Sequence, residues 1–132
     1  MKRLSVLVLA AALGTSCNDP ITTTTPSTGS TVIFTSQLAV GGFTWRSITV
    51  NTAGEVKVFL SSLIPDTTAR VGVGLGTFDG ATCTLTTTTQ APAGGTDAVI
   101  TTTLGTGNFC IRIWDLGNLT KPNDFSISVS LP

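Results

Sequence analysis

The 132-residue chain contains no histidine and no tyrosine. Without histidine, neither Ser-His-Asp nor Cys-His activation of a nucleophile is available. Histidine is also one of the usual ligands of a protein-bound metal ion, so its absence disfavours a typical metal site. The missing tyrosine removes a further acid–base group. We therefore expect a protein that is not an enzyme, with no cofactor and no metal centre.

Charge is scarce as well, because only 11% of the residues are Asp, Glu, Lys or Arg. In residues 17–132, five Lys and Arg stand against seven Asp and Glu, which gives a formal net charge of −2. A nucleic-acid-binding surface needs clustered cations, so we expect no nucleic-acid partner. The same deficit disfavours electrostatic binding to anionic lipid.

The apolar stretch Leu4–Leu13 is too short to cross a bilayer as a helix, which takes about 20 residues. It follows Lys2 and Arg3 and precedes small residues, which is the pattern of a secretory signal peptide. Residues 1–16 are therefore predicted to be a signal peptide.

Cys17 follows the small residues Thr15 and Ser16 directly, and this arrangement resembles a bacterial lipobox. The match departs at Gly14, where that family has a leucine. The resemblance implies that Cys17 carries a lipid that attaches the protein to a membrane of the bacterial cell envelope. The alternative is an ordinary signal peptide, cut near Ala12 or Ser16, that leaves Cys17 as a free thiol.

Residues 17–30 are predicted to be the lipidated cysteine and a flexible tether, since they hold two prolines, many hydroxyls and one large apolar residue. Fully extended, Asn18–Ser30 would reach roughly 40 Å. From residue 31 to 132 the apolar residues recur with a period of two. We predict one all-β domain, an antiparallel β-sandwich, with strands near 31–39, 43–50, 55–63, 69–77, 81–88, 97–104, 109–115 and 125–131.

Two turns suggest specific hairpins. A three-residue loop at 52–54 would pair Val50 with Val56 and place Gly54 in a bulge with positive φ. A similar loop at 78–80 would pair Leu75 with Cys83, which turns Cys83 toward the core, and would use Gly80 in the same way.

Cys83 and Cys110 are predicted to form a disulfide, since they are the two cysteines that remain when Cys17 is set aside. An exported chain reaches an oxidising environment in which such a pair forms a bridge. Closing a loop of about 28 residues would stabilise the fold by roughly 3.6 kcal/mol in the chain-entropy model. The alternative is two buried free thiols. The facing of Cys110 stays open, because it points outward with Arg112 and Trp114 if Ile111 and Ile113 point inward.

Aromatic side chains give the binding hypothesis. The predicted hairpin places Trp45 and Phe59 on the outer face of adjacent strands, and Trp114 ends another strand. Exposed rings of this kind mark binding surfaces for a glycan or a protein. The commoner outcome for such rings is packing under a loop or against the tether, or an inward Trp45 at a bulge.

The carboxylates Asp66, Asp79, Asp97, Asp115 and Asp124 are predicted to close turns. Loop carboxylates also suit calcium, but no EF-hand-like spacing supports that alternative.

Residues 31–131 resemble the bacterial pre-peptidase C-terminal domain, a small β-sandwich appended to secreted peptidases. The similarity lies in the strand 45–50, the turn Ala53-Gly54, the alternating strand from Val56, the strand 71–80, and the strands 107–113 and 125–129. The resemblance implies a jelly-roll-like fold of about eight strands in an extracytoplasmic setting, and an accessory module without catalytic residues.

Together these patterns predict an exported, lipid-anchored envelope protein, at the outer membrane or cell surface rather than in the cytoplasm. We expect a non-catalytic binding or adhesion module for a glycan or an envelope protein. The alternative is an accessory or structural subunit of a secreted or envelope enzyme complex.

Overall fold

A computed structural model describes residues 29–132, which form an all-β, antiparallel β-sandwich of eight strands. The strands are β1 (Thr31–Leu38), β2 (Phe43–Val50), β3 (Gly54–Ile64), β4 (Val71–Phe78), β5 (Cys83–Ala91), β6 (Ile100–Leu104), β7 (Gly107–Asp115) and β8 (Asn123–Ser130). Their positions agree with the predicted strands to within a few residues. The predicted signal peptide, Cys17 and nearly all of the predicted tether lie outside the described residues.

The strands form two four-stranded sheets, in the orders β1-β8-β3-β6 and β2-β7-β4-β5. This is the strand order of a jelly roll, in which two Greek keys wrap the sheets around one core. Nearly every strand lies in the opposite sheet from the strand that follows it in the sequence. The exception is the β4–β5 hairpin, whose strands are neighbours in one sheet.

Alternation along the strands creates the core. In β8, Phe125, Ile127 and Val129 are buried while the intervening serines are partly exposed. Strand β7 turns Ile111 and Ile113 inward, and both are fully buried. Between the strands, the rings of Phe34 and Phe125 meet edge to face with centroids 5.0 Å apart. Folding removes the apolar surface of such ring pairs and of the surrounding aliphatic side chains from water, and this burial stabilises the fold.

The predicted β2–β3 hairpin is wrong. Strand β2 pairs with β7, whereas β3 pairs with β6 and β8 in the opposite sheet. Val50 and Val56 are both buried, as expected, but they enter the core from different sheets. Gly54 is an ordinary strand residue opposite Leu104, not a bulge with positive φ.

The predicted β4–β5 hairpin is correct, but its register differs. Phe78, rather than Leu75, lies opposite Cys83, and a bulge falls between Leu75 and Gly76. Gly80 has the expected positive φ, at 101°. The Asp79 carboxylate accepts hydrogen bonds from the backbone N–H groups of Ala81 and Thr82, at 2.9 and 2.7 Å, so it closes the turn.

Cys83 and Cys110 form a disulfide, as predicted, with their Cα atoms 5.8 Å apart. Because Ile111 and Ile113 point into the core, Cys110 lies on the outer face of its sheet, and Cys83 joins it there. The prediction that Cys83 faces the core is therefore wrong. Cys110 is nevertheless fully buried, since the bridge and neighbouring side chains cover it.

No helix long and apolar enough to cross a membrane occurs between residues 29 and 132.

Candidate functional site

The outer face of the sheet β2-β7-β4-β5 gathers large side chains that do not enter the core. Strand register fixes the arrangement, because Phe43 lies opposite Trp114 and Trp45 lies opposite Arg112 on the neighbouring strand. We call the surface formed by Phe43, Trp45, Phe78, Leu85, Arg112 and Trp114 the aromatic face. The side chains of Phe43 and Trp45 are exposed, at 60% and 37% of their full accessible area.

Glycines on β4 form the floor of the aromatic face. Gly72, Gly74 and Gly76 point outward where Val71, Val73 and Leu75 point inward. A Cβ at Gly72 would overlap the Trp114 indole, and a Cβ at Gly74 would meet Leu85 at 2.9 Å. Trp114 therefore lies flat against bare backbone, which explains why it is only partly exposed.

The disulfide closes one end of the face. Strand β4 lies between β7 and β5, and two strand spacings would separate their Cα atoms by roughly 10 Å. The 5.8 Å between the Cα atoms of Cys83 and Cys110 shows that the start of β5 bends across β4. Gly76 permits this bend, because a Cβ there would overlap the carbonyl of Thr84. Beside the bridge, the rings of Trp45 and Phe78 are in contact, with centroids 5.2 Å apart.

Arg112 stands in the middle of the face. Its guanidinium carbon lies 4.0 Å from the centroid of the Phe43 ring, in cation–π geometry. The Nε atom is buried and has no hydrogen-bond partner in the described part of the chain. The ion pair found among residues 29–132 is Lys57–Glu55, on the other sheet, so Arg112 has no carboxylate partner there.

A shallow cleft of about 360 Å³ opens at this point, lined by Phe43, Leu85, Arg112, Trp114 and the loop residues Gly41, Gly42 and Asp115. The two charged groups of the cleft, Arg112 and Asp115, differ in whether they already have partners. The Arg112 guanidinium is unpaired in the described part of the chain, whereas one Asp115 oxygen accepts the Gly41 N–H at 2.8 Å. The other Asp115 oxygen accepts three further N–H groups, of Gly117, Asn118 and Leu119, at 2.9 to 3.2 Å.

These bonds set the ionisation of Asp115. Desolvation is the largest single influence and raises the pKa of this carboxyl, but the backbone N–H groups of Gly41, Leu119, Gly117 and Asn118 together outweigh it. The pKa of Asp115 is therefore lowered, and the group is an anion at neutral pH. The pKa of Asp79 is lowered too, first by the N–H of Thr82 and then by that of Ala81.

The predicted binding residues fall on two surfaces. Trp45 and Trp114 share the aromatic face on neighbouring strands. Phe59 does not join them, since β3 belongs to the opposite sheet, where Phe59 is half-buried and lines a separate hollow with Lys57 and Asp97. The predicted proximity of Trp45 and Phe59 is therefore wrong, because it depended on the β2–β3 hairpin.

Sequence reasoning missed Phe43, Phe78 and Leu85 and did not assign a role to Arg112. A signal for Arg112 was present, because the alternation in β7 places it outward together with Trp114 and Cys110. Alternation along β4 would also have placed Phe78 outward, whereas the position of Leu85 depends on the bulge in the β4–β5 hairpin.

The prediction that the five aspartates close turns is only partly correct, because Asp124 lies within strand β8, opposite Gln37 and Ile64. Asp79 and Asp115 bind backbone N–H groups, and Asp66 forms a reciprocal pair of hydrogen bonds with the buried Asn123, at 2.7 and 2.9 Å. No group of three or more Cys, Asp or Glu residues in the described part of the chain is placed to hold a metal ion.

Comparison with known proteins returns no match, either to a protein-family model or to a curated protein.

Proposed function

We propose that the protein is a non-catalytic binding module of the bacterial cell envelope, held to a membrane by a lipid on Cys17, and that it binds a glycan through the aromatic face. The observation that carries this proposal is the group of exposed and half-exposed rings around Arg112, which has no ion-pair partner among residues 29–132. A monomeric domain seldom exposes clustered rings without a partner.

The chemistry of the face suits a saccharide. Flat rings offer an apolar surface to the C–H face of a pyranose, and they lose little conformational entropy on binding. Around them, strand β2 presents Ser47 and Thr49 on the same side as Trp45, and Thr49 donates a hydrogen bond to Asn108 at 3.1 Å. Short hydroxyl and amide groups next to rings complement the alternating apolar and polar surfaces of a sugar.

A second candidate is an accessory subunit that docks on a secreted or envelope enzyme, as the resemblance to the pre-peptidase C-terminal domain implies. Exposed apolar residues along the β1–β2 edge favour it, since Ile33, Val40 and Phe43 are 57%, 51% and 60% exposed. Apolar residues at an edge of this kind are typical of protein–protein contacts.

The test is a pull-down with the full chain in detergent as bait, against solubilised envelope and purified polysaccharides. Trp45→Ala is compared with Phe59→Ala, which removes an aromatic ring from the opposite sheet. A glycan retained by the native protein and by Phe59→Ala, but lost with Trp45→Ala, supports the glycan-binding function. A recurring protein partner that is indifferent to Trp45→Ala, with no glycan retained, supports the accessory subunit instead.

A further inference from the structure

We infer that the ligand of the aromatic face is an acidic polysaccharide, whose sugar carboxylate pairs with Arg112 while the sugar rings stack on the neighbouring aromatic side chains. This inference rests on the proposed function, which requires a glycan but not a charged one.

The unpaired guanidinium is the first reason. Arg112 is partly withdrawn from water, its Nε has no partner among residues 29–132, and the ion pair of that region lies on the other sheet. The side chain as a whole is only partly buried, so its charge can act on a ligand in the cleft through charge-assisted hydrogen bonds. A ligand that brings a carboxylate to the cleft would supply the missing counter-charge.

The neighbouring anion does not take that role. Both oxygens of Asp115 accept backbone N–H groups, four in all, and neither forms an ion pair with Arg112. The cleft therefore holds, at Arg112, a cation without an ion-pair partner among residues 29–132 and, at Asp115, an acceptor that is already engaged. This imbalance favours a ligand that accepts hydrogen bonds and carries negative charge.

The geometry suits a sugar acid. Phe43 covers one flat side of the guanidinium at 4.0 Å, and a planar guanidinium binds a carboxylate through its edge, with two parallel hydrogen bonds. Trp114 lines the same cleft, and its indole offers an apolar surface to the face of a sugar ring. A uronic acid has the matching arrangement, because its carboxylate projects from the rim of a ring whose face is apolar.

The test uses polygalacturonate and alginate, each beside its methyl-esterified form, which keeps the rings but loses the charge. Binding of the full chain in non-ionic detergent is measured by titration calorimetry. The native protein is expected to bind at least one acidic polymer at least about tenfold more tightly than the ester, and raising the salt should weaken that binding.

Three substitutions locate the charge that is recognised. Arg112→Met keeps the apolar stem and is expected to weaken binding of the acidic polymer by roughly ten- to a hundredfold, the effect of losing a charge-assisted hydrogen bond. Lys57→Met removes one cation from the opposite sheet and should leave the affinity unchanged. Arg112→Lys retains the charge and should retain part of the affinity, and thermal unfolding of each variant shows whether it is folded.

Equal affinity for acid and ester would overturn the inference and leave the proposed function intact. Affinity that does not change in the folded Arg112→Met would overturn it as well. If neither acidic polymer binds, the inference fails, and the proposed function is decided separately by the envelope pull-down with Trp45→Ala.

Discussion

The Trp114 indole packs so closely against the backbone at Gly72 that a single added methyl group would disrupt the contact. A Cβ at Gly72 would overlap the indole, so Gly72→Ala must displace the Trp114 ring from the sheet. We expect a loss of about 1–3 kcal/mol in the free energy of unfolding, the usual cost of overpacking. Chemical denaturation gives that value, and a change in tryptophan emission would report the displaced ring.

The matched control is Gly105→Ala. Gly105 lies outside the strands, a Cβ added to it would meet no atom within 4 Å, and its φ is not positive. This change should be neutral or slightly stabilising, because alanine reduces the freedom of the unfolded chain. Equal stabilities of the two variants would show that the Gly72–Trp114 contact is not tight.

Asp115 joins the loop at 41–42 to the loop at 117–119 through its carboxylate. Asp115→Asn weakens four backbone hydrogen bonds at a partly exposed site, and we expect a loss of about 1–2 kcal/mol at pH 7. Because the folded-state pKa is lowered from 3.8, this stabilisation is fully present above about pH 4. It is lost as the pH falls through the folded pKa.

The measurement is urea denaturation of the native protein and Asp115→Asn between about pH 7 and pH 2.5, a range that brackets the ordinary carboxyl pKa. Their stabilities should differ by a constant amount down to about pH 4 and then converge. Asp97→Asn removes the same charge from an exposed residue and should have little effect at neutral pH. A difference between native and Asp115→Asn that grows on acidification would contradict the proposed role of the carboxylate.

At the scale of elements, the β4–β5 hairpin and its disulfide assemble one end of the aromatic face. The bridge holds the start of β5 across β4, and Phe78, opposite Cys83, contacts Trp45. Replacing both cysteines by serine should lower the free energy of unfolding by about 2–4 kcal/mol, near the chain-entropy value for this loop. It should also loosen the Trp45–Phe78 contact.

Thermal unfolding measures the first effect, with an expected fall in Tm on the order of 10–20 °C for a domain of this size. Near-ultraviolet circular dichroism measures the second. Reduction of the native protein should reproduce both changes. An unaltered Tm in the double-serine variant would mean that the bridge adds nothing to the packing of the hairpin.

The same elements show how far the sequence predicts this fold. Alternation reports which side of a strand is buried, so the strands and the inward positions of Val50 and Val56 are readable. Alternation does not indicate which other strand pairs with a given strand. A short loop at 52–54 is compatible with a hairpin and also with a crossing between sheets, and the jelly roll uses the crossing.

The candidate site is less readable for the same reason. Trp45 and Trp114 are recognisable as outward side chains, but their neighbours depend on strand order and on the bulge after Leu75. A β2–β3 pairing misplaces Phe59, while Leu85 reaches the face only through the register shift in the β4–β5 hairpin. Long-range pairing is decided by the packing of the whole sandwich, which local patterns do not encode.

For the whole molecule, the proposed attachment to a membrane rests on the lipid on Cys17. The negative formal charge of residues 17–132 and the scattered cations offer little electrostatic attraction to lipid. The proposed lipid on Cys17 would provide the attachment, at about 0.8 kcal/mol for each buried methylene. Cys17→Ser should therefore move the protein from the membrane fraction to the soluble fraction of a bacterial host.

Labelling with an alkyne fatty acid checks the chemistry directly, because the native protein should incorporate the label and Cys17→Ser should lose all of it. Ser16→Ala keeps a small residue before the cysteine and should be labelled normally. The contrary outcome is that the native protein is exported but unlabelled, and that Cys17→Ser appears in the same fraction as the native protein. Cys17 would then be a free thiol that follows an ordinary signal-peptide cleavage site. In that case the exported protein would diffuse freely. A glycan bound to the aromatic face would then have to be the link that holds the domain at the cell surface.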